Sequence, residues 1–118
     1  MAYFYRITVD GTVEKVKTDK KNLTLQDCYK ATESDIVQLV HCYCMKHSYT
    51  MVLDEEGKLT GRFLNGLATM MYNIPYDVVV GTVVITKTDG FGTFNEKQCE
   101  VFEKDLRDIY PDVKIMEV

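Results

Sequence analysis

Apolar and polar positions along the chain fall into two periods, and the switches between them mark the elements. Residues 3–9, Tyr-Phe-Tyr-Arg-Ile-Thr-Val, are aromatic and β-branched and stop at Asp10-Gly11. Residues 12–18 resume the pattern, so the pair reads as a hairpin with a type I′ turn, which takes positive φ at both central positions. Val13 and Val16 are three apart, which breaks strict alternation and predicts a bulge or a weak edge strand. Thr24 followed by Asp27 has the spacing of a capping box and predicts a short helix over 24–33 that buries Leu25, Cys28 and Tyr29. Residues 34–45 carry apolar groups on both alternating faces, the pattern of an interior strand. Tyr49 to Leu53 starts its antiparallel partner, Gly57 supplies a left-handed turn, and Lys58-Leu59-Thr60 reads as a short extended piece.

The second half repeats the theme. Asn65 is placed to cap two helical turns that pack Leu67, Met70 and Met71 inward, and Pro75 ends them. Residues 77–86, Asp-Val-Val-Val-Gly-Thr-Val-Val-Ile-Thr, predict a buried strand with a bulge or close approach at Gly81. After a turn at 88–92, Asn95 caps the clearest helix, 96–110. There Cys99, Phe102, Leu106, Ile109 and Tyr110 share one face at three- and four-residue spacing. Val113 to Val118 completes the chain as a short strand. The expected fold is α+β, a single domain over residues 1–118. It is a mainly antiparallel sheet with two or three short helices, the longest near the C-terminus.

Composition narrows the functional classes. Fourteen basic against eighteen acidic residues give a net charge of −4, which argues against broad binding to nucleic acid. Lys15, Lys17, Lys20 and Lys21 sit close together, a pattern that more often marks a solvated hairpin and loop. No apolar run approaches the ~20 residues of a membrane span, and no signal peptide is visible, so a cytoplasmic protein with four free thiols is expected.

The candidate chemistry is sparse. His41, Cys42, Cys44 and His47 are zinc-type ligands, but in a strand His41 points away from the face shared by Cys42 and Cys44. They are therefore read as part of a buried strand, with no metal site. Cys99 lies near a helix start, where a thiolate is favoured, yet its position on the apolar face places it in the core. Asp54, Glu55 and Glu56 beside Gly57 read as a solvated turn. No catalytic residue and no cofactor are assigned. A ligand pocket is the sharper candidate: Arg62 to bind phosphate, Asn65 and Thr69 to hydrogen-bond a ribose or base, and Tyr72 or Tyr76 to stack. The competing reading makes Asn65 a helix cap and the tyrosines core. Tyr3, Phe4 and Tyr5 suit either an aromatic surface or a core-facing strand, and a strand beginning at residue 3 offers an edge for a symmetric homodimer.

The stretch Asp54-Glu55-Glu56-Gly57-Lys58-Leu59, then Gly61, Asn65, Ala68 and Thr69, then Asp77-Val78-Val79-Val80-Gly81-Thr82-Val83-Val84, resembles a small family of uncharacterised phage and plasmid proteins. The N-terminal strand with its Asp-Gly turn and the segment Phe94-Asn95-Glu96-Lys97-Gln98 extend the similarity over most of the chain. Arg62 and Phe63 depart from the Leu-Pro usual there. The resemblance implies a mobile-element origin and no known catalytic activity. By analogy with other small phage proteins, it suggests a non-enzymatic counter-defence protein that sequesters a small nucleotide signal in the host cytoplasm. The alternative is an inhibitor that binds a host protein through an acidic or aromatic surface.

Overall fold

The computed structural model describes residues 1–88 and 90–118; Asp89, which falls in the turn predicted at 88–92, lies outside the described residues. Among the described residues, six strands form one sheet: β1 (Ala2–Ile7), β2 (Thr12–Thr18), β3 (Val37–His41), β4 (Tyr49–Asp54), β5 (Val83–Lys87) and β6 (Lys114–Glu117). Their spatial order is β3-β4-β5-β1-β2-β6, antiparallel throughout except for the parallel β2–β6 pair. Three helices, α1 (Leu25–Thr32), α2 (Gly66–Tyr72) and α3 (Glu96–Ile109), cover it. This is the expected α+β fold, with its longest helix near the C-terminus.

Successive strand side chains alternate between faces, and both faces of this sheet are covered. Tyr5, Ile7, Met51 and Ile85 face α2 and α3, where Phe102 meets Tyr5 with ring centroids 4.4 Å apart. Phe4, Val52 and Val84 face the other way and pack with Leu23 and Cys28 of the α1 side. The three-residue spacing of Val13 and Val16 is thereby explained without a bulge. They oppose Ile7 and Phe4 in an unbroken register, and each finds a packed layer on its own face.

The helix ends follow the sequence closely. Thr24 and Asp27 form the predicted capping box, and Asn95 with Gln98 forms a second one. α2 is capped by Asn65. Leu67 and Met71 are buried, whereas Met70 points outward, as do Leu25 on α1 and Ile109 on α3.

Several expectations are corrected. In the first hairpin only Gly11 has positive φ (+88°), and its N–H bonds to the Thr8 carbonyl at 3.0 Å. That is a type I turn with a glycine bulge rather than type I′. β1 lies between β5 and β2, so it is a central strand with no free edge, and Tyr3, Phe4 and Tyr5 are all core. β3, expected inside, is instead an edge strand of five residues; its two-faced apolar pattern arises because each face is partly covered. Residues 58–60 are coiled rather than extended, because Leu59 and Thr60 N–H groups both reach back to the Glu56 carbonyl. The valine run enters the sheet only at Val83. Before it, Gly81 (φ +78°) turns the chain, and residues 79–81 bond to Phe63 and Asn65 instead. Among the described residues no helix is long and apolar enough to cross a membrane.

Candidate functional site

Arg62, Asn65 and Thr69 do converge, but their polar groups turn inward. The Arg62 Nε donates to Asp54 Oδ2 at 2.5 Å, its Nη2 donates to the Glu33 carbonyl, and its Cδ fills the space over Gly57 and Gly81. A Cβ at Gly81 would sit 2.8 Å from that carbon, so the glycine is needed for the close approach. Asn65 is fully buried. Its Nδ2 donates to the Ile7 and Gly81 carbonyls, both at 2.9 Å, while its Oδ1 accepts from Ala68 N–H at 3.1 Å. Thr69 Oγ1 donates to the Asn65 carbonyl and accepts from Val79 N–H, each at 2.8 Å. Asn65 and Thr69 tie α2 to the end of β1 and to the segment before β5, while Arg62 ties the preceding turn to the ends of β4 and α1.

The two tyrosines stand apart. Tyr72 is half-buried and lines a cavity of 110 Å³, whose charged lining is Asp54, Glu55 and Asp77 against Lys58. That volume is below the ~300 Å³ of the smallest ligand pockets, and the carboxylates oppose a phosphate. Tyr76 is fully exposed at φ +64°, third in a turn closed by Asp77 N–H to the Ile74 carbonyl.

The histidines and cysteines of residues 41–47 part company. His41 packs edge-on against Tyr43, Cys42 is buried, and His47 Nδ1 pairs with Asp105 Oδ2. Asp105 is buried on α3 and also accepts from the Tyr49 hydroxyl at 2.9 Å. Burial, reinforced by that carboxylate, pushes the Tyr49 phenol well up, so it stays a neutral donor. The pairing pins the loop before β4 to α3. Nothing in the local sequence signals it, because the partners lie on different elements.

Beside this pin runs a groove that the sequence reading missed. It consists of two adjoining depressions of 390 and 680 Å³ that share Lys87, Phe94 and Gln98. Lys87 ends β5 and Lys97 sits in the first turn of α3. Lys21 is brought alongside by Thr93, whose Oγ1 donates to the Lys20 and Lys21 carbonyls. Lys21, Lys87 and Lys97 have no ion-pair partner among the described residues, whereas Lys15 pairs with Glu103 and Lys20 with Asp27. With Asp19 the single acid, the described lining carries about two net positive side-chain charges on a protein of net −4. Phe94 and Val101 give it an apolar floor and wall, and Asn22 and Gln98 bring amides. Such a lining suits an anion with an apolar body.

Residues 3–107 match the model of a family described as a domain of unknown function, DUF3846. The chain belongs to that family. No curated protein and no solved structure matches it. In this DUF3846 domain the matched span contains both the Arg62–Asn65–Thr69 knot and all three groove lysines, and it ends within α3.

Proposed function

We propose that this domain binds a small nucleotide and holds it in the lysine groove, sequestering a signal rather than transforming it. The observation that carries the reading is the convergence of Lys21, Lys87 and Lys97, unpaired by any described acid, on a partly apolar groove. Phosphates would meet the ammonium groups, and the base would lie against the exposed Val101, since the Phe94 ring is packed into the core. The amides of Asn22 and Gln98 would read polar edges. The groove volumes fall within the range of small-molecule sites. What the described lining supplies is charge, amides and apolar surface, the chemistry of retention. A counter-defence role follows if the ligand is a signalling nucleotide.

A thermal-shift screen against cyclic dinucleotides and ADP-ribose derivatives tests this. A ligand at 100 times its Kd adds about 2.7 kcal/mol of stability, several degrees in Tm. The Lys87→Ala/Lys97→Ala protein is expected to melt normally without ligand and to lose the shift. Arg62→Ala should instead lower the ligand-free stability by about 3 kcal/mol, because it strands the buried Asp54 carboxylate, and should keep the shift. The reading fails if no nucleotide moves the melt, or if the shift survives loss of both lysines. Recovery of altered nucleotide would replace retention by turnover.

A second reading is favoured by Tyr76. A tyrosine in the left-handed region costs about 1 kcal/mol, and this one packs against nothing that would offset it. Leu59 and Phe63, which precede α2 where Tyr76 follows it, are 85% and 80% exposed, with Glu55 and Glu56 nearby in sequence. A host protein with an apolar, basic surface would match this side. Tyr76→Gly is expected to leave stability unchanged or raised, while weakening capture of such a partner. A clear loss of stability would show that Tyr76 serves the fold.

A further inference from the structure

The two edges of the sheet are built differently. β6 is four residues long, carries Lys114 and Glu117, and lies parallel to β2, so it is short and charged. These are standard protections against strand addition. β3, Val-Gln-Leu-Val-His, has no lysine, arginine, acid or proline. Its exposed backbone can be assigned atom by atom. The Ile36 carbonyl accepts from Glu55 N–H and the Cys42 N–H donates to the Tyr49 carbonyl, both at 3.1 Å. Bonded positions recur at every second residue of an antiparallel pair, so Gln38 and Val40 also direct their groups to β4. Val37, Leu39 and His41 are left with N–H and C=O groups pointing off the sheet. None of these groups has a partner among the described residues.

We propose that β3 is the pairing edge of a symmetric dimer, in which a second copy of this chain adds its own β3 antiparallel, centred on Leu39. A two-fold axis perpendicular to the sheet sets Leu39 opposite its own mate and Val37 opposite the partner's His41. Each of these three residue pairs exchanges two backbone hydrogen bonds, about six in all. The axis keeps each face on its own side, so the α1 layer and the α2–α3 layer both continue across the junction. Leu39 opposes Val52 across β3–β4 and therefore lies on the α1 face, where it is 41% exposed. The dimer covers it with its mate. In a self-matched interface each group meets its own copy or a near neighbour, so a charged edge repels itself. The β3 edge, with no lysine, arginine or acid, carries no such penalty. β3 is thus compatible with its own copy, while the short, charged β6 opposes continuation of the sheet beyond the dimer.

The test is molar mass by sedimentation equilibrium over a range of protein concentrations. The expected result is a reversible monomer–dimer equilibrium with no larger species. Leu39→Pro is the decisive variant. Its lost N–H is one that points outward, so the β4 ladder stays complete while the pairing edge loses a donor and gains a ring. It should be monomeric with an unchanged far-ultraviolet spectrum. Should that variant fail to fold, Leu39→Lys does the same work by placing two ammonium groups together on the axis. A wild-type protein that stays monomeric throughout, a ladder of larger assemblies, or a dimer that survives Leu39→Lys would each overturn the proposal.

Discussion

Replacing Asn65 by aspartate is expected to destabilise the protein by at least about 4 kcal/mol, although aspartate caps helices as well as asparagine does. The reason lies in the two bonds that capping does not use. Oδ1 serves the cap by accepting from Ala68 N–H, while Nδ2 donates to the carbonyls of Ile7 and Gly81 in a fully buried site. Aspartate keeps the first function and sets an oxygen against two carbonyl oxygens at donor distance. Each stranded acceptor costs about 1–3 kcal/mol, and a carboxylate there must either stay charged without solvent or take up a proton. Asn65→Ala loses the cap, worth about 1 kcal/mol, together with the same two partners, and should fall by about 3–5 kcal/mol. In thermal denaturation the aspartate variant should melt roughly 15 °C lower. If it melts with the wild type, Asn65 is a cap alone and its amide is free for other work.

That residue also shows what could be read from the sequence. Its place as a helix cap was legible, as were the capping box at Thr24 and the cap at Asn95, because capping depends on residues a few positions apart in the chain. Its two long-range carbonyl partners were not legible, since Ile7 and Gly81 reach it only through the sheet. The same limit applies to the predicted phosphate contacts. Arginine, asparagine and threonine beside glycines are the residue types that recognise phosphate, and they are equally the types that tie a tight turn to a sheet. Arg62 and Thr69 do the latter. The groove lysines follow no local pattern. Lys21 reaches Lys87 and Lys97 through the Thr93 bonds to the preceding loop, a contact between segments distant in sequence. Strand positions were misjudged where backbone geometry overrode side-chain pattern. The valines before Gly81 look like sheet, but the positive φ at that glycine turns the chain before the sheet begins.

The second large effect is expected at alkaline pH and concerns the thiols. Cys28 and Cys42 are almost wholly buried, and burial pushes their pKa values up from 9.0 to about 11 and about 12; the Asp27 charge adds to the rise at Cys28. Above pH 9 the unfolded chain releases both thiol protons while the folded protein keeps them. Stability from this source is therefore complete below pH 9 and lost as pH rises toward 11 and 12. At about 1.4 kcal/mol per pH unit for each group, the two together remove roughly 5 kcal/mol by pH 11. Urea unfolding at pH 8 and pH 11 measures the loss directly. The Cys28→Ala/Cys42→Ala protein should start lower, by about 1–2 kcal/mol, and then show a flatter profile. An equally steep profile without these thiols would place the titration elsewhere, with the raised phenols of Tyr5 and Tyr49 the next groups to remove. The same burial bears on chemistry. A cysteine nucleophile needs a lowered pKa and access, and Cys28, Cys42 and Cys99 have the reverse of both. In the folded protein a disulfide reagent should reach the half-buried Cys44 first, and the other three only as the core opens.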